Sequence, residues 1–211
     1  MTRTILTAAL ALAVLVGGGP APLQPAALAA QEAETAEVVE MSKGDPEAPV
    51  EVIEYASYTC PHCATFHQNV LPQLEEDYIE PGKVHFVYRE VYFDKYGMWA
   101  SLIARCGGEE RFFGITDLLY ESHEDWARAG SDVEVANELR RIARLAGLGE
   151  EQVESCLSDA DTLRSLVAWY QENADEHGIE STPSFVIDGE TYSNMNYAEF
   201  SEILDEKLGE E

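Results

Sequence analysis

The sequence predicts an α/β fold in which a strand-helix-strand unit and a late hairpin with its closing helix are separated by a long helical insertion. Three patterns carry this reading. Apolar, β-branched runs flank an early helix, an Asp-Gly pair joins two short strand-like runs near the C-terminus, and the apolar residues in between recur at helical spacing.

Taken in order, Gly44-Asp45-Pro46 is a turn signal, and Val50, Val52, Ile53 and Tyr55 after it form the first strand. Glu51 and Glu54 are three apart and fall on opposite faces of that strand, so alternation alone does not decide which acid points inward. Pro61 suits the first turn of a helix, where its missing N–H would have no partner, and Ala64, Phe66, Val70, Leu71 and Leu74 give that helix an apolar face. Lys83 to Val91 reads as a second strand beside the first, with Val84, Phe86 and Tyr88 alternating against His85 and Val87. Within the insertion, Trp99, Leu102, Ile103 and Cys106 form one helical face that stops at Gly107-Gly108, and Phe112, Ile115, Leu118 and Leu119 form another. Ser131 with Glu134 is a capping box for a helix ending near Gly147, and Leu157, Leu166, Val167 and Trp169 carry the last helices back toward Pro183. Asp188-Gly189 is a hairpin turn between Phe185 to Ile187 and Glu190 to Tyr192. Asn196 and Glu199 cap a last helix through Leu208.

The 211 residues are 45% hydrophobic and 25% charged, the composition of a globular domain with a real core. Thirteen Lys and Arg stand against 40 Asp and Glu, a net charge of -27, which repels a phosphate backbone and excludes nucleic acid as a partner. The acidity itself reads as a strongly solvated surface and names no function.

Residues 1–29 have the zones of a secretory signal: Arg3, an apolar run from Ile5 to Val16, then Gly17 to Pro20 and small residues, with Ala27-Leu28-Ala29 suited to cleavage before Ala30. Residues 30–43 read as a flexible acidic leader. The expected location is therefore periplasmic or secreted, where disulfides persist.

Cys60 and Cys63 are too close in sequence to serve two distant partners without crowding, which leaves Cys106 with Cys156. The first pair closes almost no loop and reads as reactive; the second closes roughly 50 residues and reads as structural. Cys60 falls at the N-terminus of the early helix, where free N–H groups and the helix dipole favour a thiolate, and Cys63, one turn in, is expected to be more buried and to act second. A protonated His62 adds to the preference for the thiolate. A metal site at Cys60, His62 and Cys63 would need a second ligand pair, and none has metal-ligand spacing. His67 reads as an exposed helix residue, with tuning of the cysteines as the other reading; His85, His123 and His177 read as surface or strand residues. Tyr58, Thr59, Phe66 and the Tyr192 to Met195 stretch read as the border of a groove or as packing.

Cys60-Pro61-His62-Cys63, with the strand before it and Ser181-Thr182-Pro183-Ser184 before the late strand, resembles the DsbA-like thiol-disulfide oxidoreductases of the thioredoxin superfamily. The resemblance implies a thioredoxin fold, residues 44–93 and 179–211, with a helical insertion at 94–178 in which Cys106 and Cys156 form a staple. It implies that Pro183 is cis against the active-site sulfurs and that Thr182 presents its backbone to a bound chain. It also implies that Glu54 relays a proton to and from Cys63, with burial raising its pKa. The implied activity is oxidation of dithiols in exported polypeptides, without a cofactor, with a membrane-bound DsbB-like oxidase resetting the pair. Thr182 leaves an isomerase or reductase open, because isomerases often carry Thr before this proline. A non-catalytic thioredoxin-like binding module is the reading from a different class.

Overall fold

The computed structural model describes residues 37–209, so the expected signal and the first part of the leader lie outside the described residues. A five-stranded sheet runs in the order β1-β3-β2-β4-β5, with β1 at Met41–Lys43, β2 at Val50–Ala56, β3 at Val84–Glu90, β4 at Ser184–Ile187 and β5 at Glu190–Ser193. Only β2 and β3 are parallel; the other neighbours are antiparallel. A parallel pair needs a crossover, and it is made by α1 (Pro61–Asn69) and α2 (Leu71–Leu74), which continues into a π-helical turn at Glu75–Ile79. The single helix expected through Leu74 is broken at Val70 because Pro72 has no N–H to give the carbonyl one turn back.

Between β3 and β4 lie α3 (Lys95–Cys106), α4 (Glu109–Glu121), α5 (His123–Ala127), α6 (Asp132–Leu145), α7 (Glu150–Leu157) and α8 (Ala160–Glu176); α9 (Tyr197–Leu208) closes the chain. The capping boxes at Ser131 with Glu134 and Asn196 with Glu199 are both formed. The β4-β5 turn takes positive φ at Asp188 (45°) and Gly189 (82°), the geometry that matches strand twist and that Asp-Gly tolerates. This is a thioredoxin fold with a helical insertion.

Both faces of the sheet are buried. Val52, Ala56, Phe86, Tyr88, Phe185 and Ile187 enter the main core with Phe66, Phe112 and Phe200, while Ile53, Tyr55, Val87 and Val186 form a second layer beneath Tyr170 of α8. The leader expected to stay flexible through residue 43 ends sooner. Met41 is buried, β1 pairs with β3, Glu40 accepts from Arg89 Nε at 2.6 Å, and the Val39 carbonyl accepts from Arg105 Nη1 at 2.8 Å. An apolar side chain and two charge-assisted contacts offset the entropy of ordering these residues.

The insertion is joined to the sheet by a buried ion pair. Arg105 on α3 donates from Nε and Nη2 to the two oxygens of Glu90, each at 2.7 Å, and Ser101 Oγ adds a bond of 2.9 Å to Oε1. Removing one member of such a pair costs about 3–5 kcal/mol, because the other is left charged and dry. Cys106 at the end of α3 is bonded to Cys156 on α7, with Cα atoms 5.8 Å apart and 50 residues between them.

A double variant, Cys106→Ala with Cys156→Ala, is expected to melt at a lower temperature, with a loss of about 4 kcal/mol from the freed loop in the unfolded chain. Calorimetry and far-ultraviolet circular dichroism check this: an unchanged midpoint with native helix content contradicts it.

Candidate active site

The loop from β2 into α1 fixes the first cysteine. Cys60 is the N-cap of α1 with extended backbone, φ -84° and ψ 118°, and Pro61 follows in the first turn. The Cys60 N–H donates to the Ser57 carbonyl at 3.0 Å, and Thr59 Oγ1 donates to Asp94 Oδ2 at 2.7 Å. Asp94 in turn caps α3, accepting from the N–H groups of Tyr96 and Gly97 at 2.7 and 3.0 Å. One carboxylate therefore starts the insertion and steadies the loop that presents Cys60. No acidic residue sits in the first turn of α1 to cancel its positive end.

Sheet register brings the late turn to the same place. β4 runs antiparallel to β2 with Tyr55 opposite Ser184, so the cis Thr182-Pro183 peptide lies against the start of α1. The Cys60 thiol donates to the Thr182 carbonyl at 3.4 Å, and the Thr182 hydroxyl is buried without a hydrogen-bond partner.

The two sulfurs, both reduced, have opposite electrostatic settings. Donation from the Cys63 thiol, above all, holds the Cys60 pKa down at about 5, against the opposing effect of partial burial; the Thr182 side chain and the backbone N–H groups of Cys63 and His62 add to the lowering. Cys63 is fully buried, and its pKa is pushed far up by burial, by the bond to Cys60 and by the charge of Glu54. A thiolate is thus favoured on one sulfur and excluded from the other.

Glu54 is completely buried while Glu51 is exposed, which answers the question that strand alternation leaves open. Its partner is His67, whose Nε2 is 2.9 Å from Glu54 Oε2. The expectation of an exposed His67 is corrected: the ring is buried, stacked on Tyr120 with centroids 4.2 Å apart. The signal was present in the sequence, since residues four apart share a helix face and Cys63 points inward. His123 is likewise buried rather than on the surface, and His177 Nδ1 lies 2.7 Å from the Tyr55 hydroxyl. Tyr58 and Phe66 are core residues, whereas His62 and Pro61 are exposed beside Cys60. Cys106 and Cys156 belong to the insertion, joined to each other and not to this cluster.

Alkylation of the reduced chain is expected to follow one thiolate with a midpoint near pH 5. The folded pKa of Cys60 lies below the usual thiol value of 9.0, so its contribution to the stability of the reduced form is present at high pH and is lost as pH falls through about 5. The melting midpoint of the reduced form, measured relative to the disulfide form, is expected to drop as the pH is lowered from about 9 to about 5. A constant difference across that range contradicts the assignment.

The sequence model of the thioredoxin family matches residues 36–206. A Rickettsia prowazekii protein named "Putative protein-disulfide oxidoreductase" is 31% identical over 173 residues, which is 82% of this chain and 62% of that protein; the chain thus spans less than two thirds of that relative. "Disulfide bond formation protein D" of Bacillus subtilis is 25% identical over 177 residues, covering 78% of this chain and 75% of the relative. Among solved structures, alpha-DsbA1 of Wolbachia pipientis is similar with a TM-score of 0.74 and 28% identity, over 81% of this chain and 91% of that one. The chain belongs to the thioredoxin family, and its structure is similar to that of a DsbA protein.

Proposed function

We propose that the protein is an exported dithiol oxidase that introduces disulfides into reduced polypeptides through Cys60 and Cys63. A substrate thiolate attacks Cys60 Sγ of the Cys60-Cys63 disulfide, forming a mixed disulfide; the electron pair of the broken bond goes to Cys63 Sγ, which takes up a proton. A second substrate thiolate then attacks the substrate sulfur of the mixed disulfide, so the substrate leaves oxidised and Cys60 leaves as a thiolate. A membrane-bound dithiol oxidase takes the two electrons back from the pair. Glu54 supplies and receives the proton at Cys63. Pro183 and Thr182 form the backbone edge against which the substrate segment lies extended, and Pro61 borders it.

The observation that carries this reading is the opposed setting of the two sulfurs, with the Cys60 pKa held down at about 5, so that it is a thiolate at neutral pH, and Cys63 buried as a thiol. A stable leaving thiolate at Cys60 makes the reduced form favourable and the disulfide oxidising. His62, exposed next to Cys60, strengthens that preference when its ring is protonated, beyond the contribution of its backbone N–H. The arginine and apolar run at the N-terminus support export. Thr182 favours a second reading, an isomerase or reductase with the same cysteines kept reduced; the redox state of the pair in cell extracts separates the two.

A Cys63→Ser variant is expected to accumulate polypeptides joined through Cys60 when mixed with reduced, unfolded protein. Mass spectrometry that finds the joined chains on Cys106 or Cys156 overturns the role of Cys60, and an unaltered chain that leaves a reduced substrate unoxidised overturns the oxidase itself.

His62→Leu is expected to raise the Cys60 pKa and lower the reduction potential, by about 30 mV for each pKa unit, since both correspond to about 1.4 kcal/mol. A potential unchanged in glutathione equilibrations removes the ring of His62 from the account.

A further inference from the structure

Glu54 and His67 form a buried pair, with side-chain exposures of 0% and 2%. Each keeps one polar atom without a partner, Oε1 on Glu54 and Nδ1 on His67. Leaving such an atom dry and unpaired costs about 1–3 kcal/mol, so stability gives no reason to place two of them in one pair. Glu54 acts on Cys63, whose thiol its charge raises. His67 faces the other way as well, because it lines an open cleft with Asp117, Tyr120 and Glu121 of α4 and with Glu75 of the π turn, itself paired with Lys43. Tyr120 stacks on the ring and Tyr88 of β3 meets it edge-on at 5.6 Å, which fixes the plane of the ring.

We propose that His67 is a positioning residue for proton transfer at Cys63: it orients the Glu54 carboxyl and passes protons between that carboxyl and the acidic cleft. The proposal rests on the dithiol exchange described above. When the Cys60-Cys63 bond breaks and its electron pair stays on Cys63, Glu54 gives Cys63 a proton. The carboxylate so formed takes one from His67 Nε2 across 2.9 Å, and Nδ1 takes its replacement from the cleft. Formation of the bond sends one proton outward by the same path. The cleft side is acidic, so proton donors and acceptors are at hand where the ring ends.

Resolution by Cys63 of a mixed disulfide between Cys60 and glutathione isolates this step. In His67→Gln, which keeps a donor for Glu54 but has no second nitrogen to relay, resolution at pH 7 is expected to be about tenfold slower, below the hundredfold or more contributed by a group touching the reacting atoms. Its dependence on pH is expected to flatten, while the alkylation midpoint of Cys60 stays where it is. In His67→Ala, which widens the cleft, added imidazole is expected to restore the rate, a response that loss of packing alone does not give. Resolution at the parent rate in either variant overturns the proposal, as does a slow His67→Ala that imidazole leaves slow. An unaltered chain that fails to resolve the mixed disulfide overturns the dithiol reading itself, which distinguishes the two failures.

Discussion

Two sulfurs one helical turn apart occupy opposite solvation regimes, and the rest of the molecule is arranged around that difference. At the N-cap of α1 the sulfur of Cys60 meets unpaired N–H groups, the positive end of the helix and the Cys63 thiol, so charge is stabilised there. Three residues later Cys63 lies within the core among Phe66, Tyr58 and Tyr88, where charge is costly. The gradient exists because β2 delivers the chain to the edge of the core and α1 carries it straight back in. Nothing about the four residues Cys60 to Cys63 alone would create it.

The surrounding fold keeps that junction in place. β4 can bring Thr182 to Cys60 only while it pairs with β2, and Asp94 holds the loop before Cys60 only while α3 begins there. α3 in turn is fastened by the Glu90-Arg105 pair to the end of β3, the strand parallel to β2. A surface with a net charge of -27 repels itself, so such tethers oppose a real expansive force. The buried acid whose charge raises the Cys63 thiol, Glu54, is paired with a histidine rather than with a fixed cation.

Local signals were readable in the sequence because their physics is local. The capping boxes at Ser131 and Asn196, the Asp188-Gly189 turn and the proline at the start of α1 each specify structure within four residues. Pro72 carried the same kind of signal for the break at Val70, and the apolar face from Ala64 to Leu74 masked it. What sequence could not supply depends on partners far away in the chain. β1 is three residues long and exists only by pairing with β3, and β2 is buried on both faces, so alternation gives no reason to choose Glu54 over Glu51. The burial of His67 follows from Glu54, thirteen residues earlier, and from Tyr120 on a helix that reaches it only in the folded molecule.

The reduction potential of the Cys60-Cys63 pair, obtained by equilibrating the whole chain with glutathione buffers at pH 7, tests the asymmetry most directly. If the thiolate on Cys60 is stabilised as its surroundings require, the reduced form is favoured and the potential lies toward the oxidising end of such pairs, near about -120 mV. A value near about -270 mV, typical of a reducing dithiol, would mean that the reduced form gains nothing from that thiolate and would contradict the account.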